Sequence, residues 1–158
     1  MSQLNPPVSR AILSSPIGPV RIEGTDVAIR RVHIGGPADE PGETNPLIQE
    51  ALDQLSAWFQ GRLHEFDLPL EPLTSPRGEA HRAAIRNIGY GSTASYGELA
   101  RALGSSPRAV GQACRRNPLP IIIPCHRVVG AGGSIGHYSA GEGIKTKLWL
   151  LQHEGRTG

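Results

Sequence analysis

The run Ile121-Ile122-Ile123-Pro124-Cys125-His126-Arg127-Val128-Val129 constrains this chain more than any other stretch. A short, uncharged, β-branched run has to sit inside a packed core, as a buried strand or extended segment. It then delivers a thiol and an imidazole together, where buried backbone meets something accessible. The thiolate is the nucleophile, and a free cysteine is mostly protonated near neutral pH. The imidazole of His126 can take that proton, directly or through water, and the cationic Arg127 beside it favours the anion. Free cysteines are commonly inert packing, but the adjoining His and Arg argue for reactivity at Cys125.

A chain of 158 residues holds one or two small domains and can bury a real core. The first residues are prolines and serines with an early Arg10 instead of a signal sequence, and no apolar run is long enough to cross a bilayer. The expectation is a soluble, cytoplasmic protein with no membrane partner. Two cysteines do not make a disulfide framework. His33, His64 and Cys114 are too scattered for a zinc site, so no metal is expected.

Charge is unevenly spread. Residues 1–76 carry five Arg against ten Asp plus Glu, whereas residues 77–158 carry eleven Arg plus Lys against four Glu. A basic half beside an acidic half suits a polyanion partner, although a solvated face with no partner reads the same way.

Residues 9–34 read as a β-meander, with Ala11-Ile12-Leu13, Val20-Arg21-Ile22 and Val27-Ala28-Ile29 as strands joined by tight turns. Gly35-Gly36-Pro37 ends the pattern, and the acidic stretch to Thr44 reads as a loop. Asn45-Pro46 supplies an N-cap and a first helical proline. From there Leu47, Ile48, Ala51, Leu52, Leu55, Trp58 and Phe59 recur at helical spacing, an amphipathic helix for the sheet with its aromatic pair in the core. Residues 66–72 read as a final extended piece and linker. The expected domains are a scaffold over 1–74 and a functional domain over 75–158.

The second half reads as mostly helical. Residues 79–88 give a short helix on which His81 is read as exposed. Tyr96 to Leu103 and Pro107 to Arg116 are two short helices around Gly104-Ser105-Ser106, a helix-turn-helix pattern. On the second, Arg108, Arg115 and Arg116 favour phosphate contact, while Ala109, Gly111 and Ala113 are small enough to let the helix lie close to a groove floor. Asn117 can bond the backbone around its turn. The glycine-rich residues 130–136 fit no phosphate-binding pattern. Ile144, Leu148 and Leu151 describe a last helix with Lys145 and Lys147 outside and Gly155 as its stop. The fold class is α+β: a small N-terminal antiparallel sheet with a helix, then a mostly helical C-terminal domain with a helix-turn-helix.

Pro124-Cys125-His126-Arg127-Val128-Val129 closely resembles the signature of the methylated-DNA–protein-cysteine methyltransferases, the O6-alkylguanine-DNA alkyltransferases. Ser95-Tyr96-Gly97-Glu98-Leu99-Ala100, Arg108-Ala109-Val110-Gly111, Asn117-Pro118, Tyr138-Ser139 and residues 149–155 follow in the family's order, so about half the chain is covered. The family usually carries an apolar or aromatic pair where this chain has His81-Arg82. The resemblance implies a single-turnover protein that moves the alkyl group of O6-alkylguanine irreversibly onto Cys125, with O4-alkylthymine as a second candidate substrate. It implies that Glu154 orients His126, that Tyr96 assists the leaving guanine, and that Asn117 joins the recognition helix to the active-site segment. It further implies that Arg108 enters the stack where a base has left, from the minor groove of double-stranded DNA, and that Val128, Tyr138 and Ser139 wall the base pocket. No cofactor is implied, and a monomer is expected. Two rivals come from other classes: an alkylated-base sensor that binds without repair, and a Cys–His hydrolase working through a thioester.

Overall fold

The computed structural model describes residues 7–36 and 42–155; the loop expected around residue 40 lies mostly outside them. The chain divides into two compact units, Met1–Glu71 and Pro72–Gly158.

In the first unit three strands, β1 (Ser9–Ser15), β2 (Gly18–Gly24) and β3 (Ile29–Ile34), form an antiparallel sheet in sequence order. Alternation along β2 and β3 sends Val20, Ile22, Val32 and Ile34 to one buried face. The third strand starts later than the apolar triplet 27–29 suggests. Thr25 Oγ1 accepts from the amides of Val27 and Ala28, folding both into the turn and leaving Val27 exposed. Helix α1 (Pro46–Phe59) starts where Asn45 Oδ1 accepts from Ile48 N at 2.8 Å, and it lays Ile48, Ala51, Leu55 and Trp58 on the sheet. Trp58 is wholly buried and meets Phe59 edge to face, which is core packing. The extended piece near residue 70 pairs with the start of β3: Ile29 donates to Pro69 and Glu71 donates to Ile29.

The second unit begins with α2 (Pro76–Arg86), which starts earlier than the expected 79–88 because Ser75 caps it ahead of Pro76, and also ends earlier. A two-residue strand, β4 (Ala94–Ser95), leads directly into α3 (Tyr96–Leu103), closed at its start by a Ser95–Glu98 capping box and at its end by left-handed Gly104. Ser106 caps α4 (Pro107–Arg115), which packs against α3 as the second helix of the helix-turn-helix.

No strand forms over Ile121–Ile123. Ile121 takes a left-handed φ of 76° and only an isolated bridge joins Pro120 to Ile123, so the three isoleucines bury themselves in a folded turn. Burial is all that such a run demands, and a compact turn supplies it. Residues Cys125–Arg127 then make a single 3₁₀ turn, and β5 (Val128–Val129) pairs in parallel with β4, Ala94 against Val128 and Ser95 against Val129. That short ladder ties the residue before Tyr96 to the residues after the Cys-His-Arg turn.

The last helix, α5 (Ile144–His153), is rotated from the expected face. Ile144 and Leu148 are exposed, while Thr146, Lys147, Leu150 and Leu151 are buried. Lys147 can sit inside because its ammonium donates to two main-chain carbonyls, Val128 at 2.7 Å and His137 at 3.0 Å.

Candidate active site

The cysteine is held by the turn that precedes it. Asn117 Oδ1 accepts from Leu119 N at 2.9 Å, while its Nδ2 donates to the Ile123 carbonyl at 3.0 Å and to Cys125 Sγ at 3.3 Å. One amide side chain therefore shapes the loop and touches the sulfur. Positive φ at a buried, β-branched residue is strained, of the order of 1–3 kcal/mol, and the packing around Ile121 has to carry it.

Cys125 is 4% exposed and His126 wholly buried. His126 Nε2 lies 2.9 Å from Glu154 Oε2. A carboxylate can only accept, so Nε2 carries the proton and Nδ1 keeps the basic lone pair. Burial lowers the His126 pKa below the ordinary imidazole range, against the opposing pull of Glu154, and the ring is neutral at neutral pH. For Glu154, burial alone would raise the carboxyl. The bonds from His126 and Arg127 outweigh it and bring the group down to about 2.

Arg127 does not lend its charge to the thiol as expected. Its Nε and Nη2 grip Glu154, and Nη1 donates to the Ile88 carbonyl. The cation that acts on Cys125 is Lys147 instead. At rest the neighbouring Cys114 thiol, and then burial, push the Cys125 thiol well up, and Asn117 and Lys147 only partly offset this. The sulfur is thus stored as a thiol, and a base has to act for it to attack.

Helix α4 presents two faces. Arg108, Gly111 and Arg115 line a cavity of about 300 Å³ together with Cys125 and Tyr96. Tyr138 and Ser139, from the segment before α5, complete its wall. Burial raises the Tyr96 phenol above its ordinary range, so it is an O–H donor at neutral pH. Among the described residues Tyr138 Oη is buried with no hydrogen-bond partner, and burial raises its phenol too. An orphaned hydroxyl beside an open cavity suits a polar ligand edge. Val128 is not in this wall: pairing with Ala94 buries its side chain completely, and its carbonyl takes Lys147.

The other face of α4 borders a second cavity of about 400 Å³, where Ala109 and Arg116 meet His81, Arg82, Asn117 and again Cys125. The DNA-binding residues expected on α4 are therefore split between its two sides. His81, expected to be exposed, is 5% exposed. Its Nδ1 lies 2.7 Å from the Arg77 carbonyl, so Nδ1 donates there, and Nε2 accepts from Ser105 Oγ at 3.0 Å. The ring joins α2 to the turn between α3 and α4, which is an architectural role. Arg82 is also buried; burial lowers its pKa, while Glu79 and Cys125 support its charge.

Three site residues escaped sequence reasoning. Lys147 reads as an outward cation of the last helix, Arg82 carries no role beyond its place in the His81-Arg82 pair, and Cys114 is considered only as a zinc ligand, although it lines the first cavity with Cys125. The two cysteines lie eleven positions apart in sequence, a spacing with no motif attached, so only the fold could join them. Among the described residues no group of three or more His, Cys, Asp or Glu is placed to hold a metal ion, and no helix is long and apolar enough to cross a membrane.

Two family models match in tandem. Residues 8–72 match the ribonuclease-like domain of 6-O-methylguanine DNA methyltransferase, and residues 79–156 match its DNA binding domain. The chain is 40% identical over 151 residues to the methylated-DNA–protein-cysteine methyltransferase of Methanosarcina acetivorans, covering 90% of this chain and 96% of that one. It is 38% identical over 145 residues to a DNA base-flipping protein of Thermus thermophilus, covering 90% and 97%. Among solved structures, Mycobacterium tuberculosis OGT in complex with DNA superposes with a TM-score of 0.80 at 37% identity, over 92% of each chain.

Proposed function

Since this chain belongs to the methylated-DNA–protein-cysteine methyltransferase family, we propose that Cys125 is its alkyl acceptor. The protein repairs DNA by direct reversal, taking the alkyl group from O6-alkylguanine in a single turnover. The observation that carries the residue assignment is the contact of Cys125 Sγ with Asn117 Nδ2 at 3.3 Å, beside a cavity with room for one base.

His126 takes the thiol proton through Nδ1, directly or by way of water, while Glu154 fixes the tautomer and stabilises the imidazolium that forms. The sulfur attacks the alkyl carbon, the carbon–O6 bond breaks, and guanine leaves. Tyr96 donates to the guanine as charge develops on it, and Asn117 donates to the sulfur as it becomes anionic. The thioether that results has no easy route back to a thiolate, so each molecule acts once.

The lesion reaches the cavity only by leaving the duplex, at a cost of roughly a few kcal/mol. In this reading α4 enters the minor groove, Arg108 fills the space the base leaves, and Arg115 and Arg116 contact phosphates. Ala109 and Gly111 permit close approach, and Tyr138 and Ser139 read the flipped base. The protein acts as a monomer in the cytoplasm, with access to DNA and without a cofactor.

Incubation with duplex DNA carrying O6-methylguanine, followed by intact mass, tests the assignment. One methyl addition at Cys125, abolished by Cys125→Ala, is expected. Tight binding with no mass change would mark a base-flipping sensor, as the Thermus relative's name suggests. Restoration of the lesion by the alanine variant would overturn the proposal.

A further inference from the structure

The cavity that takes the base holds two thiols, and the repair reaction uses one. Cys114 stands on the α4 face that carries Gly111 and Arg115, partly exposed, while Cys125 is buried opposite it. The two thiols stand near enough across that cavity to perturb each other's ionisation. Cys125 cannot turn far, because Asn117 grips its sulfur and the Ile123 carbonyl at once.

We propose that Cys114 and Cys125 are a modification site, closing to a reversible intramolecular disulfide when a peroxide enters the cavity. The proposal goes beyond alkyl transfer and stands on the juxtaposition of the two sulfurs in one solvent-reached cavity. A disulfide requires sulfurs about 2 Å apart, so closure brings the partly exposed Cys114 side chain onto the held Cys125 sulfur across the cavity both of them line.

Cys114 is the sulfur that reacts first. The neighbouring Cys125 thiol lowers the Cys114 pKa; burial opposes this, and the Lys147 and Arg115 cations add to the lowering. Cys125 is pushed the other way. The Cys114 thiolate attacks one peroxide oxygen: an S–O bond forms, the O–O bond breaks, and hydroxide leaves to become water. The Cys125 sulfur then attacks the sulfenic sulfur, its proton passing to the departing hydroxide. The S–S bond forms, the S–O bond breaks, and a second water leaves. Two thiols are oxidised and one peroxide is reduced to two waters. A dithiol reverses the step by exchange.

The consequence for a single-use acceptor is specific. A sulfenic acid with no thiol at hand goes on to sulfinic and sulfonic acids, which dithiols do not reverse. With Cys114 beside it, Cys125 is parked as a disulfide and recovered, so an oxidised molecule is not a lost one.

The test treats the full chain with dilute hydrogen peroxide, quenches, blocks remaining thiols and maps peptides without reductant. A peptide joining Cys114 to Cys125 is expected, with an intact mass lower by about 2 Da for the two hydrogens removed. Methyl transfer from O6-methylguanine duplex should fall in step and return after dithiothreitol. In Cys114→Ser, each measurement normalised to its own untreated sample, the peroxide loss should be largely irreversible, with oxygen additions on Cys125. Separate Cys114 and Cys125 peptides after oxidation, a disulfide-linked dimer, or equal dithiothreitol recovery in Cys114→Ser would each overturn the proposal. The peptide map reads the disulfide whether or not methyl transfer occurs. Failure of the untreated protein to take up a methyl group would instead count against the repair assignment.

Discussion

Arg127 holds Glu154 through both carboxylate oxygens, Nε to Oε1 at 2.9 Å and Nη2 to Oε2 at 2.6 Å, while the carboxylate also receives His126. All three side chains are at least nine-tenths buried. A base-orienting carboxylate is thus also the counter-ion that lets an arginine sit in the core.

Glu154→Ala should therefore damage fold and chemistry together. Removing one partner of a buried pair leaves an uncompensated charge, with a cost of about 3–5 kcal/mol. Urea unfolding should show that loss, and single-turnover methyl transfer should slow in whatever fraction stays folded. Unchanged stability would mean that Arg127 finds another acceptor.

Acid should weaken the protein in two stages. His126 is held below its ordinary value, so from about pH 6.5 downward the unfolded chain takes a proton that the folded one refuses. Glu154 is held at about 2, so its contribution is complete above the ordinary carboxylate range and is lost as pH falls toward that value. Methyl-transfer rate should stay level through pH 6.5 and drop only at lower pH, where His126 protonates. Rates and urea midpoints across a pH series check these statements; an acid fall in rate that begins above the ordinary imidazole pKa would contradict the role given to His126.

Asn117→Ala removes the donor to the sulfur and the clamp on Ile123 in one change. A hydrogen bond to a developing charge contributes about 1.5–3 kcal/mol, so transfer should slow by roughly 10- to 100-fold. Asn117→Asp keeps the acceptor for Leu119 N but sets a negative charge against the sulfur, and should be slower still. Stopped-flow transfer rates separate the two variants.

Gly111→Ala should separate stability from function. A methyl group there would stand 4.0 Å from the Tyr96 ring, an ordinary contact. Alanine in a helix interior should then raise stability by about 0.5–1 kcal/mol. The same methyl projects from the α4 face that lines the base cavity, so DNA affinity and transfer rate should fall while the urea midpoint rises. A variant equally fast on DNA would remove this face from the interface.

Much of this was legible locally. Asn45-Pro46 and Ser106-Pro107 announce helix starts because cap and proline act within one turn, and the Cys-His-Arg triplet announces chemistry because its members are adjacent. What stayed hidden depends on distant partners. Lys147 reads as surface until the carbonyls of Val128 and His137 arrive to satisfy it. His81 reads as surface until Ser105 meets it from the turn between α3 and α4. The isoleucine triplet was misread because β-branched side chains report burial, and a strained turn at Ile121 satisfies that as well as a strand does.

Glu154 reaches its place from 27 residues beyond Arg127. On a growing polypeptide the cysteine leaves the ribosome well before the carboxylate that readies its base. Until α5 docks, the imidazole beside that cysteine therefore lacks the acceptor that fixes its tautomer, and proton transfer from the thiol waits on the end of synthesis.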